Sequence, residues 1–124
     1  MSFTVIAPIF NEEKNIESLY NEIKNSCNKI PLTQVIFVND CSNDGSLEEL
    51  KKIKNDLFEF ISHDSKQGQS AAIHTGILHS KNDIILTIDG DLQNDPLDIP
   101  KVYKKYMELK DQNIFLQGYR HTRK

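Results

Sequence analysis

Apolar residues form continuous runs, typical of strands buried on both faces, and these runs alternate with stripes of helical spacing. The runs predict strands over residues 3–9, 34–38, 58–61, 84–88 and 113–117. Ile16, Leu19, Tyr20 and Ile23 follow the first run at the spacing of an amphipathic helix. This β-α-β-α order predicts an α/β fold: an open, mainly parallel sheet with helices on both faces.

Three further helices are predicted. Ser46 begins one, with Glu49 three residues later as a capping box. A second runs over residues 68–79, and a third begins near Pro100, which suits a first turn. We expect their inner faces to carry these residues: Leu47, Leu50 and Ile53; Ala71, Ala72, Gly76 and Ile77; Val102, Tyr103, Tyr106 and Met107.

Length and composition narrow the class of protein. A chain of 124 residues fits one domain, so residues 1–124 are interpreted as a single domain. The net charge of −3 argues against a nucleic-acid partner, which favours a basic face. The sequence has neither a membrane-length apolar stretch nor a signal-peptide pattern, which favours a cytoplasmic location. Cys27 and Cys41 lack metal-ligand spacing and are expected to be reduced thiols.

Acidic residues follow three of the predicted strands. Glu12 and Glu13 come after the first, Asp40 after the second, and the segment Asp89-Gly90-Asp91 after the fourth. Ligands of such sheets bind beyond the carboxyl ends of the strands. Acids gathered at one edge repel each other unless they meet a cation or a donor-rich ligand. The pattern therefore predicts a ligand site at this edge.

The turn after the fourth strand has the chemistry of a metal site. Asp89 and Asp91 are two residues apart, and Gly90 lets the chain turn so that both carboxylates converge on one ion. Hard oxygen ligands suit Mg²⁺ or Mn²⁺, and Gln93 can add a carbonyl ligand or bind a metal-bound water. The alternative is an ordinary acidic turn, since Asp and Gly are common turn formers.

Four segments, TVIAPIFNEEKNIE, VIFVNDCSNDGS, KQGQSAAIHTGI and TIDGDLQNDP, resemble in this order the family 2 glycosyltransferases of the GT-A fold. Within that family, DGDLQNDP is similar to a stretch of the dolichyl-phosphate mannosyltransferases and bacterial polyprenyl-phosphate glycosyltransferases. The resemblance covers nearly the whole chain. It implies a Rossmann-like domain that binds a nucleotide sugar, with the acceptor region and any membrane helices lying beyond Lys124.

The resemblance also implies roles for matching residues around the nucleoside. Pro8, Phe10 and Glu12 match a segment that lines the nucleoside pocket. Asp40 matches an aspartate that accepts a hydrogen bond from the base, although Asn39 stands where the family has a second acid. Lys66 stands near the glycine of the third segment, where the family often has Arg-Asn, and it can supply positive charge to the nucleotide.

At the diphosphate, Asp89 and Asp91 match the family's metal-binding pair, with Gln93 as an accompanying ligand. Arg120 and Arg123 resemble a stretch whose arginines face the diphosphate or the acceptor phosphate. A divalent ion and an arginine stabilise charge that develops on a diphosphate leaving group. Asp91 and Arg120 are therefore the expected catalytic residues.

The expected reaction is transfer of a sugar, with inversion, from a UDP- or GDP-linked donor to a polyprenyl phosphate. An anionic phosphate acceptor needs no general base, and no isolated base stands out in the sequence. We expect the full-length protein at the cytoplasmic face of a membrane. The four histidines, His63, His74, His79 and His121, are interpreted as surface or loop residues.

Three other functions remain open. A sugar-nucleotide-binding module without catalysis has the same residues. A nucleotidyltransferase also uses paired acids, but it commonly has a glycine-rich loop after the first strand, where this chain has PIFNEEKN. A signalling receiver domain needs an aspartate ending the third strand and a lysine ending the fifth, and neither is present.

Overall fold

The computed structural model describes residues 2–88 and 96–109, in which four strands alternate with helices. The first four predicted strands and all the predicted helices are present, whereas the predicted strand over residues 113–117 lies outside the described residues. In chain order the elements are β1 (Phe3–Ile9), α1 (Ile16–Ser26), β2 (Leu32–Asn39), α2 (Ser46–Lys52), β3 (Phe58–Ser62), α3 (Gln69–His79), β4 (Ile84–Thr87), a 3₁₀ turn (Pro96–Asp98) and α4 (Ile99–Leu109).

The four strands form one parallel sheet in the order β3-β2-β1-β4. The chain moves outward from β1 to β2 and β3, then returns to place β4 on the other side of β1. This reversal makes a switch point between β1 and β4, where open α/β sheets bind ligands beyond their carboxyl ends. The predicted open parallel sheet is confirmed.

Side chains alternate between the two faces of the sheet, and each face has its own apolar cluster. Val5 and Ala7 of β1 lie in the larger cluster with α1, α2 and α4, whereas Ile6 lies in a smaller cluster with Ala72 of α3. All four of these β1 and α3 side chains are fully buried. Helices therefore cover both faces, as predicted, and the continuous apolar run of β1 reflects burial on both sides.

Helix α3 packs closely on β1 through its smallest residues. A Cβ added at Gly76 would lie 2.7 Å from Ile6 Cγ2, so only glycine allows this approach. Ala72 and Gly76 are buried, as predicted. Ile77 is 44% exposed, so its placement on the packed face is wrong. It follows Gly76 directly and is rotated about 100° around the helix from it.

The start of α2 is correct, but the predicted capping box is wrong. Ser46 is the first helical residue, and Gly45 occupies the N-cap without a side-chain cap bond. Ser46 Oγ instead accepts the backbone N–H of Glu12 at 3.0 Å, and Glu49 pairs with Lys52. The hydroxyl is therefore committed to a neighbouring loop. Leu50 is fully buried, whereas Leu47 is only half-buried.

Two further expectations concern thiols and the membrane. Cys27 and Cys41 are free cysteines, and Cys27 is buried against the larger cluster. Among the helices that the structure describes, none has the length and apolar character needed to span a bilayer.

Candidate functional site

Three loops leave the carboxyl ends of β1, β2 and β3 and meet at the same edge of the sheet. Each has one residue with positive φ: Asn11 at 53°, Cys41 at 60° and Gly68 at 99°. For asparagine and cysteine this conformation costs free energy, and such strained residues concentrate at functional sites. The surrounding hydrogen bonds must therefore hold the loops in place.

The first two loops are joined by side-chain to backbone hydrogen bonds in both directions. Asn11 N–H donates to Ser42 Oγ at 2.9 Å, and Asn43 N–H donates to Asn11 Oδ1 at 2.9 Å. The Asn11 side chain thus accepts a hydrogen bond from the second loop, while the Asn11 backbone N–H donates to that same loop. This exchange explains how Asn11 is kept in its left-handed conformation.

The acidic residues of the first loop take part in the same network. Glu13 Oε1 accepts the N–H of Gly45 at 3.1 Å, and Glu12 Oε1 accepts the side-chain amide of Asn15 at 2.9 Å. A Cβ at Gly45 would lie 2.9 Å from Glu13 Oε2, so glycine there lets the carboxylate approach the backbone. Glu12, a predicted nucleotide ligand, is half-buried beside these loops.

Asp40, which follows β2, joins the second loop to the third. Its residue is 4% exposed, and its own N–H donates to the carbonyl of Ile9 at 2.8 Å. Oδ1 accepts the N–H of Gln67 at 2.8 Å, and Oδ2 accepts the N–H of Gly68 at 2.8 Å. These two amides immediately precede α3, so the carboxylate lies at the positive end of that helix.

The hydrogen bonds keep Asp40 ionised despite its burial. Burial is the largest influence and pushes the pKa of Asp40 upward. The bonds from Gln67, His63 and Gly68, with the charge interaction of His63, together outweigh burial and leave the pKa below its ordinary value. Asp40 is therefore a fixed negative charge at this edge of the sheet.

His63 is the residue that the sequence analysis misassigned. Its side chain is only 7% exposed, with Nδ1 2.9 Å from Asp40 Oδ1 and Nε2 2.8 Å from Thr75 Oγ1. His63 lies in the loop directly after β3, as the prediction allows, but its side chain is buried against Asp40 and is not at the surface. The prediction holds for His74 and His79, which are exposed.

Phe10 and Lys66, both predicted nucleotide ligands, lie together. Lys66 Nζ lies 3.9 Å from the centroid of the Phe10 ring, a cation–π contact between the first and third loops. Phe10 is half-buried and Lys66 is exposed. Pro8 is half-buried near the end of β1, where it pairs in register with Val38. The predicted nucleoside residues thus lie on or directly after neighbouring strands.

The predicted diphosphate site lies outside the described residues. This applies to Asp89, Asp91, Gln93, Arg120 and Arg123. Ile88, the last described residue before Asp89, donates its N–H to the carbonyl of Ile6 at 3.0 Å and so lies beside β1. Within residues 2–88 and 96–109, no three His, Cys, Asp or Glu side chains gather closely enough to hold a metal.

Comparison with known proteins gives one family match along most of the chain. The model of the family described as "Glycosyl transferase family 2" matches residues 4–124. The undecaprenyl-phosphate 4-deoxy-4-formamido-L-arabinose transferase of Aeromonas hydrophila is 30% identical over 109 residues, covering 85% of this chain and 33% of the relative. The chain spans about a third of the length of the curated relatives it matches.

Solved structures show the same fold. The structure of residues 1–349 of TarS from S. aureus in complex with UDP-GlcNAc has a TM-score of 0.70 and 25% identity, covering 87% of this chain and 31% of that one. A mannosyltransferase from Pyrobaculum calidifontis, solved with GDP-Man and Mn²⁺, has a TM-score of 0.63 and 24% identity, covering 72% of this chain and 27% of that one.

Proposed function

Because this chain belongs to glycosyl transferase family 2, we propose that it forms the donor-binding part of a glycosyltransferase that uses a nucleotide-diphosphate sugar. The observation that carries the proposal is the meeting of three loops at the carboxyl edge of a parallel sheet, two of them with a strained residue, and with Asp40 fixed as an anion between them. Nucleotide ligands of open α/β sheets bind at this edge. In this proposal Pro8, Phe10, Glu12, Asp40 and Lys66 surround the nucleoside.

The loops favour binding because hydrogen bonds within the protein hold them in place. Hydrogen bonds between the first and second loops, and between Asp40 and the third, set the backbone beforehand. A site that is already ordered loses less conformational entropy when a ligand binds. Lys66 is exposed, and its ammonium group lies over the Phe10 ring. A base that packs on Phe10 would therefore compete with this ammonium group for the face of the ring.

The diphosphate is assigned to the segment after β4. Asp89, Asp91 and Gln93 offer oxygen donors, a set that suits Mg²⁺ or Mn²⁺. When bound, such an ion neutralises charge on a diphosphate leaving group. A mannosyltransferase that shares this fold was solved with Mn²⁺. In the proposed mechanism Asp91 holds and orients the ion, and Arg120 donates to the phosphate oxygens with its planar guanidinium.

The proposed acceptor is a polyprenyl phosphate, and the proposed location is the cytoplasmic face of a membrane. Support comes from the curated relative, which is an undecaprenyl-phosphate sugar transferase. A phosphate acceptor is anionic at neutral pH, so it attacks the anomeric carbon without a general base, with inversion.

Calorimetric titration of this chain with UDP and with GDP tests the donor site. Each nucleotide is added with Mn²⁺, with Mg²⁺ and with a chelator. We expect binding of one nucleotide that requires the metal and is lost in Asp91→Ala. Asp56→Ala is the matched control, because Asp56 is an exposed carboxylate in the turn before β3. Its affinity is expected to equal that of the wild type.

Failure of both nucleotides to bind this chain calls for the same titration on the longer protein that contains it. Absence of binding there as well would refute the proposed function. If binding is found, the longer protein is tested for transfer of a labelled sugar to polyprenyl phosphate. Binding without transfer to any polyprenyl phosphate would contradict the proposed acceptor and leave the donor site in place.

A further inference from the structure

The Asp40 carboxylate has most of its acceptor positions filled by the protein itself. Each carboxylate oxygen has about two lone-pair positions. Oδ1 receives Gln67 N–H at 2.8 Å and His63 Nδ1 at 2.9 Å, so both of its positions are taken. Among the described residues, Gly68 N–H is the one donor to Oδ2, at 2.8 Å. The described part of the chain therefore leaves a single acceptor position, on Oδ2, for a ligand.

His63 is held in this arrangement from its other side. An ionised carboxylate only accepts hydrogen bonds, so Nδ1 carries a proton and donates to Oδ1, while Nε2 forms a second hydrogen bond with Thr75 Oγ1 at 2.8 Å. Thr75 lies on α3, and the His63 side chain is 7% exposed. The ring is fixed between β3 and α3 and cannot turn away from Oδ1 without breaking the bond to Thr75.

We propose that His63 determines base specificity: by filling Oδ1 it leaves Asp40 one acceptor position, which selects uracil over guanine. The inference rests on the proposed function, in which Asp40 meets the base. Uracil presents one N–H, flanked by two carbonyl groups. Guanine presents a ring N–H and an amino group side by side, a pair that calls for two free carboxylate oxygens. One guanine donor would therefore face an oxygen that is already satisfied.

The expected size of this selection follows from the unpaired donor. A polar group left without a partner on binding reduces affinity by about tenfold or more. The wild-type chain is therefore expected to bind UDP at least about tenfold more tightly than GDP. His63→Leu removes the ring nitrogens at similar volume and frees a position on Oδ1, so the UDP/GDP affinity ratio is expected to fall to within about threefold.

The matched variant is His63→Asn, whose side-chain amide nitrogen is attached to Cγ like Nδ1 and can donate to Oδ1. It is expected to retain the wild-type ratio. The ratio separates specificity from stability, because a residue with a purely structural role would weaken UDP and GDP by the same factor. If circular dichroism shows that His63→Leu is unfolded, His63→Met is measured instead. It also lacks a nitrogen donor for Oδ1, and the same fall in the ratio is required.

Titration of wild type, His63→Leu and His63→Asn with UDP and GDP tests whether His63 determines base specificity. A high ratio in the wild type and His63→Asn, with a low ratio in His63→Leu, supports the inference. Equal affinities in the wild type, a preference for GDP, or an unchanged ratio in His63→Leu would overturn it while leaving the proposed function standing. Absence of binding to both nucleotides would instead contradict the proposed function.

Discussion

Replacing Asp40 with asparagine tests the hydrogen-bond network at the edge of the sheet. The carboxylate receives backbone N–H groups on both oxygens, from Gln67 on Oδ1 and Gly68 on Oδ2. Asparagine has one acceptor oxygen and one amino group. Whichever way its amide is oriented, one of the two backbone N–H groups faces another donor. The variant therefore cannot satisfy both amides at once.

The cost can be worked from these contacts. A hydrogen bond to a charged group contributes about 1.5–3 kcal/mol and one between neutral groups about 0.5–1.5 kcal/mol, so one bond is lost and the remaining ones are weakened. The substitution also has one stabilising effect, because burying a neutral amide costs less desolvation free energy than burying a carboxylate. We expect Asp40→Asn to lower the free energy of unfolding by about 2–4 kcal/mol at neutral pH.

The pH dependence gives a second, independent readout. The pKa of Asp40 is lowered in the folded state, so between the folded and unfolded pKa values the unfolded chain binds more protons. The stability from ionised Asp40 is therefore complete above about pH 4 and is lost as pH falls through the folded pKa. The difference between wild type and Asp40→Asn should be constant near neutrality and shrink in acid. Asp44, whose pKa is also lowered, contributes equally to both proteins.

Urea unfolding followed by circular dichroism measures this difference at neutral pH and at a series of acidic pH values. The matched control is Asp56→Asn, an exposed carboxylate whose replacement should change the unfolding free energy by no more than about 0.5 kcal/mol. The reasoning is refuted if Asp40→Asn loses less than about 1 kcal/mol, or if its deficit stays constant from neutral pH into acid.

Substitutions at three other positions test the packing and loops by the same unfolding assay. Gly76→Ala places a Cβ 2.7 Å from Ile6 Cγ2, so a net loss of about 1 kcal/mol is expected after the gain in helix propensity; unchanged stability would contradict the close approach. The Tyr20 hydroxyl is buried and lacks a partner among the described residues, so Tyr20→Phe should raise stability by about 1 kcal/mol. Asn11→Ala removes the side-chain oxygen that accepts Asn43 N–H and places alanine at a φ of 53°. It should lower the free energy of unfolding by about 1–2 kcal/mol, and Asn11→Gly should recover the part due to backbone strain.

The fold was predictable where burial alone decides the local structure. The run over Phe3–Ile9 is apolar on both faces, and the observed β1 has the predicted bounds. The second strand is longer than predicted, running over Leu32–Asn39, because polar Thr33 and Asn39 interrupt the apolar pattern. Asn39 pairs with Ile9, and at Thr33 the register shifts, just after the strand begins at Leu32. Gln34 is 4% exposed, with its amide bonded to Glu59 and to the carbonyl of His79. Such pairing is set by partners distant in the sequence.

The errors at Ser46 and His63 share a physical cause, since each residue bonds a partner that sequence spacing does not reveal. Ser46 has the sequence signature of a cap, but its hydroxyl accepts from Glu12, 34 positions away. His63 stands alone in the sequence, and its partners Asp40 and Thr75 come from two other elements. The sequence feature that could have identified His63 is its position directly after β3, at the edge of the sheet where Asp40 was already expected. Asp89, Asp91, Gln93 and Arg120 lie outside the described residues, so their roles stay predictions.

Asp40 has two tasks in this protein, and they have to be separated before a loss of binding can be interpreted. Its carboxylate orders the third loop through Gln67 and Gly68, and in the proposed function it also meets the base. An Asp40 variant that fails to bind nucleotide is therefore ambiguous, because the loop and the contact are lost together. Variants of His63 keep both oxygens of Asp40. His63→Leu and His63→Asn both lack Nε2, which bonds Thr75, and they differ in whether a side-chain donor reaches Oδ1. A difference in base preference between these two folded variants therefore reports on the contact with the base.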